Sequence, residues 1–318
     1  MTTLCSICKH KTKSFFVITR DKSKRKINFC NKCDFQFFNK NLSKSLSENK
    51  LDISRYNFEG LKMIPKTLEF KNGIEQSKEY IKQYINEIPK NNKILEIGCS
   101  WGYFLHLVNK KKLTPYGVEV SVVKSNFVNK KLKICCEKNL DKIIKKEIKF
   151  KKIFLFYVVE YIENPLKYIS KLLTILDKKG EIIIITPNIN DPLKTIWKNE
   201  SFKIFFYEKH AINYFSKKTL KKICDNLNIK KYDLFTKQGY SFLNHINWNL
   251  NNKPLPSSIV CGDLLVNKIG KILFNRLKKL NYKKTIQIIN YLKNINNNYS
   301  KIFEKKDLGN QIHLIIKN

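Results

Sequence analysis

Between residues 93 and 186 the chain alternates short apolar runs with longer amphipathic segments. KILEIG (93–98), PYGVEV (115–120), KICC (133–136), IFLFYVV (153–159) and EIIIIT (181–186) read as strands. WGYFLHLVNKKK, SVVKSNFVNKKL and NPLKYISKLLTIL read as the helices between them. Short apolar runs buried on both faces and separated by amphipathic helices predict a doubly wound, mostly parallel α/β sheet. Upstream, Ile74, Ile81, Ile85 and Ile88 share one face of a predicted helix that Pro89 closes. Downstream, Ser216 is an N-cap for SKKTLKKICDNLN, and IKKYDLFT (229–236) follows as a strand. The rhythm then changes. Helices are expected over 263–280 and 283–295, a loop over the Asn-rich 294–298, and a last strand in GNQIHLIIKN.

Composition narrows this picture. A 318-residue chain that is 42% hydrophobic can bury a sizeable core. Its longest apolar runs are far shorter than the ~20 residues of a membrane span. The start, MTTLCSICKHK, has no apolar secretory core, so a cytoplasmic location is expected. The formal charge of +36 points toward nucleic acid, since a cationic surface gathers phosphates. Two observations weigh against it. All but four of the 62 basic residues are lysine, whereas phosphate and base edges favour the guanidinium fork. The excess is also spread along the chain, in the manner of a Lys-, Asn-, Ile- and Phe-rich product of an AT-rich genome.

Four of the nine cysteines form two CxxC pairs, Cys5/Cys8 and Cys30/Cys33, 21 residues apart. That spacing matches the two knuckles of a four-thiolate zinc site. Cys99, Cys135, Cys136, Cys224 and Cys261 sit in or beside apolar segments and read as small core residues. The aromatic run Phe35, Phe37, Phe38 closes the module, and a polar connector follows.

The turn ILEIGCSWGYFL (94–105) lies where an open parallel sheet binds its ligand, outside the carboxyl end of a strand. Gly98 and Gly102 let backbone N–H groups approach a ligand, and Glu96 can accept from an ammonium or hydroxyl group. A dinucleotide fingerprint would need glycine at 100 and 103, where Ser100 and Tyr103 stand. The acidic-x-Gly-x-x-x-Gly pattern instead resembles motif I of the class I S-adenosylmethionine-dependent methyltransferases. Glu119, at the end of the next strand, has the place of the carboxylate that accepts ribose hydroxyls. FYVVEYIENPLKYISKLL resembles that family's strand-four motif and GEIIIITPN its strand five, so the resemblance covers roughly residues 70–240. Two departures are Ser100 for the loop's middle glycine and Tyr161 for a usual histidine.

The resemblance implies an S-adenosylmethionine site at Glu96, Gly98, Cys99, Ser100, Gly102, Glu119, Val120, Tyr157 and Glu160. It implies an α/β Rossmann-like domain over 61–244, preceded by a zinc ribbon and connector (1–60). A helical insertion (245–305) and the last strand of the sheet (306–318) follow. YEKHAINYFS and GYSFLNHINW look like segments of bacterial zinc-ribbon methyltransferases of surface-polysaccharide and modified-sugar synthesis, although Gly239 stands where arginine is expected. They supply Glu208, His210 and His245 as candidate catalytic residues, with Tyr240 and Asn244 nearby. His106 reads as structural, and His10 is redundant beside four thiols. The expected acceptor is a sugar, nucleotide-linked sugar or glycan precursor. The alternative is RNA or protein methylation using the basic surface and the ribbon.

Overall fold

The computed structural model describes residues 3–38, 56–59, 62–65, 67–85, 87–255 and 282–318. In chain order, β1 (Lys13–Ile18), β2 (Lys24–Phe29) and β3 (Gln36–Phe38) form an N-terminal meander. A hairpin, β4 (Tyr56–Glu59) and β5 (Lys62–Pro65), leads into α1 (Thr67–Tyr84). The alternating region follows: β6 (Lys93–Ile97), α2 (Tyr103–Lys110), β7 (Thr114–Val118), α3 (Val122–Lys130) and β8 (Cys135–Glu137). It continues through α4 (Leu140–Ile144), β9 (Phe150–Phe156), α5 (Pro165–Thr174) and β10 (Leu176–Pro187). Two short helices, α6 (Pro192–Thr195) and α7 (Glu200–Phe206), precede β11 (Asn213–Tyr214) and α8 (Lys217–Asn226). Then come β12 (Tyr232–Lys237), α9 (Phe242–Asn251), a long helix at Tyr282–Lys305, and β13 (Gln311–Lys317).

The main sheet has the order β12-β13-β10-β9-β6-β7-β8. The pairs β10·β9, β9·β6, β6·β7 and β7·β8 are all parallel. The chain enters at β6, runs outward through β7 and β8, then returns to β9 on the other side of β6. This reversal of direction is where parallel sheets place their ligand crevice. In register, Ile97 pairs with Val118, so Gly98 and Glu119 leave their strands at the same level. A second, four-stranded sheet has the order β1-β2-β3-β11, with antiparallel pairing throughout.

Contacts divide the chain into two compact units. One comprises Lys40–Ile185, Cys224–Asp233 and Leu314–Asn318. Its core packs Ile81, Tyr84 and Ile85 at the end of α1 with Phe104, Leu105 and Val108 of α2 over Ile94, Phe154, Ile183 and Ile185. Ile182 to Ile185 have no exposed surface, which explains their unbroken apolar run: a central parallel strand is covered on both faces. Tyr80 stacks on Phe156 at 4.1 Å, joining α1 to the sheet.

The other unit comprises Met1–Asn39, Thr186–Ile223 and Leu234–His313. Phe35 stacks on Phe37 and meets Phe215, while Leu193, Phe202 and Trp248 form a separate cluster. The expected loop at 294–298 is corrected here, because it lies inside the helix Tyr282–Lys305. Asparagine is a weak helix former, but tertiary contacts override a preference of under ~1 kcal/mol per residue. Asn296 Oδ1 accepts the Phe242 N–H, and Tyr299 packs on both Phe242 and Phe303. The helix expected over 263–280, with Cys261, lies outside the described residues. Among the described residues no helix is long and apolar enough to cross a membrane.

Candidate functional site

The bend after β6 is built from three left-handed residues: Gly98 (φ 71°), Ser100 (φ 50°) and Gly102 (φ 75°). Sterics require glycine at both ends. A Cβ on Gly98 would meet Val158 Cγ2 at 2.5 Å, and one on Gly102 would meet Leu132 Cδ1 at 2.8 Å. Ser100 adopts the conformation that a middle glycine would take freely, at a cost of roughly 1–2 kcal/mol. The Gly98 and Cys99 N–H groups both donate to Val118 O, at 2.7 and 3.2 Å, pinning the turn to the end of β7.

Glu119 completes that connection. Its Oε2 accepts the Ser100 N–H and its Oε1 the Ser121 N–H, each at 2.9 Å. Each oxygen keeps a second lone pair, so the carboxylate can still accept hydroxyl groups. Ser121 caps α3 by accepting the Lys124 N–H. Glu96 is buried and its Oε2 has no hydrogen-bond partner among the described residues. Burial, then the nearby Glu119 and Cys136, raises its carboxyl well above the usual range.

The remaining residues expected at this site divide into two kinds. Cys99 turns inward, with its Sγ 3.6 Å from Cys136 Sγ, so only its backbone belongs to the turn's surface. Trp101 is also core, edge-on to Phe127. Val120 is 69% exposed beside Glu119. Tyr157, past the end of β9, has φ 55° and donates its N–H to Ile185 O. Glu160 is buried in the one-turn helix Val159–Tyr161.

The other unit holds the candidate catalytic residues. His210 is partly buried in the bend after α7. Glu208 pairs with Arg20 at 2.9 Å, and its N–H donates to Tyr214 Oη. His245 has no exposed surface. Gln238 Oε1 accepts the Asn310 N–H, so its amide nitrogen faces His245 Nε2 at 3.2 Å and donates to it. His245 Nδ1 then carries the proton and donates to Tyr299 Oη at 2.6 Å. Burial lowers the ring's pKa to about 4. Tyr240 is partly buried nearby, and Asn244 is fully buried, with its Oδ1 accepting the Leu255 N–H.

Sequence reading missed Asp191 and Lys194. Asp191 caps α6 by accepting the Leu193 N–H, and burial raises its carboxyl to about 7. Lys194 Nζ lies over the rings of Phe206 and Tyr207 and donates to Tyr207 Oη; burial lowers it to about 8. The Asp191-Pro192 dipeptide, a helix-start signal, was the available clue.

Cys5, Cys8, Cys30 and Cys33 bring their four sulfurs within 4.8 Å of one another. The two knuckles repeat one hydrogen-bonding scheme. Cys5 N–H donates to His10 O and Lys9 N–H to Cys5 O; likewise Cys30 N–H donates to Phe35 O and Asp34 N–H to Cys30 O. Lys9 and Asp34 are both left-handed, with φ 60° and 58°. The opposed pairs Cys5/Cys33 and Cys8/Cys30 stand at 3.6 and 3.3 Å. Bonds of ~2.3 Å to a tetrahedral zinc separate sulfurs by about 3.8 Å, so the donor set fits a closed four-thiolate site.

A family model described as a methyltransferase domain matches residues 72–233. No curated protein matches the sequence. Among solved structures, the chain is similar to a SAM-dependent methyltransferase from Archaeoglobus fulgidus (16% identity, 77% of this chain, 94% of that chain, TM-score 0.47). It is also similar to the plantazolicin methyltransferase (15%, 79% and 86%, TM-score 0.43). A third is coclaurine N-methyltransferase (13%, 87% and 85%, TM-score 0.44).

The buried Glu96 predicts a pH signature. With its folded pKa raised, the native state holds a proton that the unfolded chain releases near its ordinary value of about 4.3. Stability therefore falls as pH rises from there through the raised value, and stays lower above it. Glu96→Gln is expected to raise the Tm of the ligand-free protein by about 2–4 °C at pH 8, and by less at pH 5. Thermal unfolding at both pH values checks this, and a lower Tm at pH 8 would show that the carboxylate is compensated within the fold.

Proposed function

The chain belongs to the methyltransferase-domain family and is a class I S-adenosylmethionine-dependent methyltransferase, and from that premise we propose a sugar, nucleotide-linked sugar or glycan precursor as its acceptor. One observation carries the preference for a small molecule over RNA. Both described arginines, Arg20 and Arg25, stack on phenylalanine rings and donate to backbone carbonyls of the protein itself. Among the described residues the basic surface is left to lysine, without the guanidinium forks that read phosphates and base edges.

In this reading the backbone of Gly98, Cys99, Ser100 and Gly102 meets the methionine portion of the donor. Glu96 accepts from its ammonium group, a positive charge that offsets the burial penalty of the carboxylate. Glu119, already held by Ser100 and Ser121, accepts the ribose hydroxyls. Val120 offers an apolar face to the base, and Tyr157 and Glu160 border the site after β9. S-adenosylmethionine supplies a methyl group on a sulfonium, which leaves as a neutral thioether when the acceptor's lone pair attacks in line. The chain's task is to align the acceptor and, for a hydroxyl, to remove its proton. His210 is assigned that role and Glu208, fixed by Arg20, orients the acceptor. His245 is reassigned to structure, since both ring nitrogens have partners inside the fold. Cys5, Cys8, Cys30 and Cys33 would hold a structural zinc, and four thiolate ligands would leave it no open position for chemistry.

Three outcomes test this reading. Glu119→Ala is expected to weaken S-adenosylmethionine binding by about 10- to 100-fold in calorimetry, the loss of hydrogen bonds to a charged acceptor. Unchanged affinity would remove the ribose assignment. Metal analysis of the purified chain should find about one zinc per molecule; a folded, metal-free protein would refute the zinc assignment. Radiolabelled S-adenosylmethionine added to fractionated cell extract should label the sugar-nucleotide and glycan pool, with His210→Ala lowering that rate by about 10²–10⁴-fold at unchanged donor affinity. Label confined to RNA or protein would overturn the acceptor class.

A further inference from the structure

We propose that the four-cysteine module positions the acceptor segment Phe205–Tyr214, with Arg20 and Arg25 as the positioning residues. The inference rests on the assignment of Glu208 and His210 to the acceptor side. Arg20 follows β1 and Arg25 lies in β2, so both belong to one hairpin. Arg20 Nε donates to Phe205 O and its Nη1 to Glu208 Oε1, both at 2.9 Å, while its guanidinium lies 3.8 Å from the centre of the Phe205 ring. The Arg20 backbone N–H donates to Tyr207 O at 2.7 Å. Arg25 Nη1 donates to Lys209 O at 2.6 Å, with its guanidinium 3.7 Å above Phe38.

The rest of the segment is held by β3. Tyr207 Oη donates to Gln36 Oε1, and the Phe38 N–H donates to Ile212 O. Asn213 and Tyr214 pair with Phe37 and Gln36 as the sheet's fourth strand. The strands that do this, β2 and β3, flank the Cys30/Cys33 knuckle, and Thr219 Oγ1 donates to Cys33 O just beyond β11. Whatever fixes the four sulfurs therefore fixes the strands that hold Glu208 and His210.

The residue type distinguishes positioning from simple charge pairing. Both partners of the Arg20–Glu208 pair are more than a third exposed in their side chains (43% and 35%), and such pairs contribute little energy. What arginine adds is geometry. A planar fork reaches a carbonyl and a carboxylate together while its face stacks on a ring, and a lysine ammonium cannot do all three. In a chain where all but four of 62 basic residues are lysine, Arg20 makes all three contacts and Arg25 makes the carbonyl and ring contacts.

The test compares the zinc-loaded full chain with Arg20→Lys/Arg25→Lys, and with Arg25→Lys alone in case the double variant folds poorly. Calorimetry with S-adenosylhomocysteine should give affinities within about twofold of wild type, reporting an intact donor site. Hydrogen exchange at 205–214 should quicken by about tenfold with zinc content unchanged, as expected when local opening becomes easier. In the extract assay, the amount of acceptor pool giving half-maximal transfer should rise about tenfold while the plateau changes by less than about threefold, the pattern of lost acceptor positioning. Unchanged exchange at 205–214, or a loss confined to the plateau, would overturn the proposal. If wild type labels only RNA or protein, the sugar reading fails on its own, and the same half-saturation comparison on that pool still tests the arginines.

Discussion

The turn after β6 depends on one carboxylate. Glu119 takes the N–H of Ser100 on one side and of Ser121 on the other, joining the turn after β6 to the start of α3. Parallel register sets the arrangement, because Ile97 beside Val118 brings the two strand exits level. The turn then closes through a left-handed path that only small residues tolerate, with Val158 and Leu132 occupying the space a side chain would need. A turn under these constraints is rigid before any ligand arrives, which is how backbone N–H groups become useful for binding.

Rigidity has a cost, and Glu96 shows where it falls. An acidic side chain with a buried, unpartnered oxygen lowers the stability of the empty protein. Its place at the carboxyl end of β6 is what the proposed pairing with a cationic ligand rests on. Asp191 and Lys194 show a related economy in the other unit, where burial draws their pKa values to about 7 and 8. Both are near the range where a proton can be exchanged at neutral pH.

Much of this was legible in the sequence, for identifiable reasons. The sheet announced itself because central parallel strands must be apolar on both faces, as in Ile182 to Ile185. The glycine turn and the cysteine knuckles were legible because steric and metal-ligand demands leave few residue choices. What escaped were long-range effects. Local composition made 294–298 a loop, yet Tyr299 and Phe303 anchor it as helix. His245 looked available, yet Gln238 and Tyr299 enclose it. Nothing local in NYF indicated that Asn213 and Tyr214 would pair with β3, more than 170 residues earlier in the chain.

The same composition that misleads can also inform. An excess of lysine spread along the chain does not by itself mark a nucleic-acid surface. Against that background an arginine is a place to ask whether the shape of the guanidinium fork is used. Among the described residues the arginines lie on the β1–β2 hairpin and face the chain's own Phe205, Glu208 and Lys209. The arginines next to the four-cysteine module thus point inward. As proposed, the module acts as a brace: the Cys30/Cys33 knuckle sits between β2 and β3, and those strands together with Arg20 hold the segment that carries Glu208 and His210.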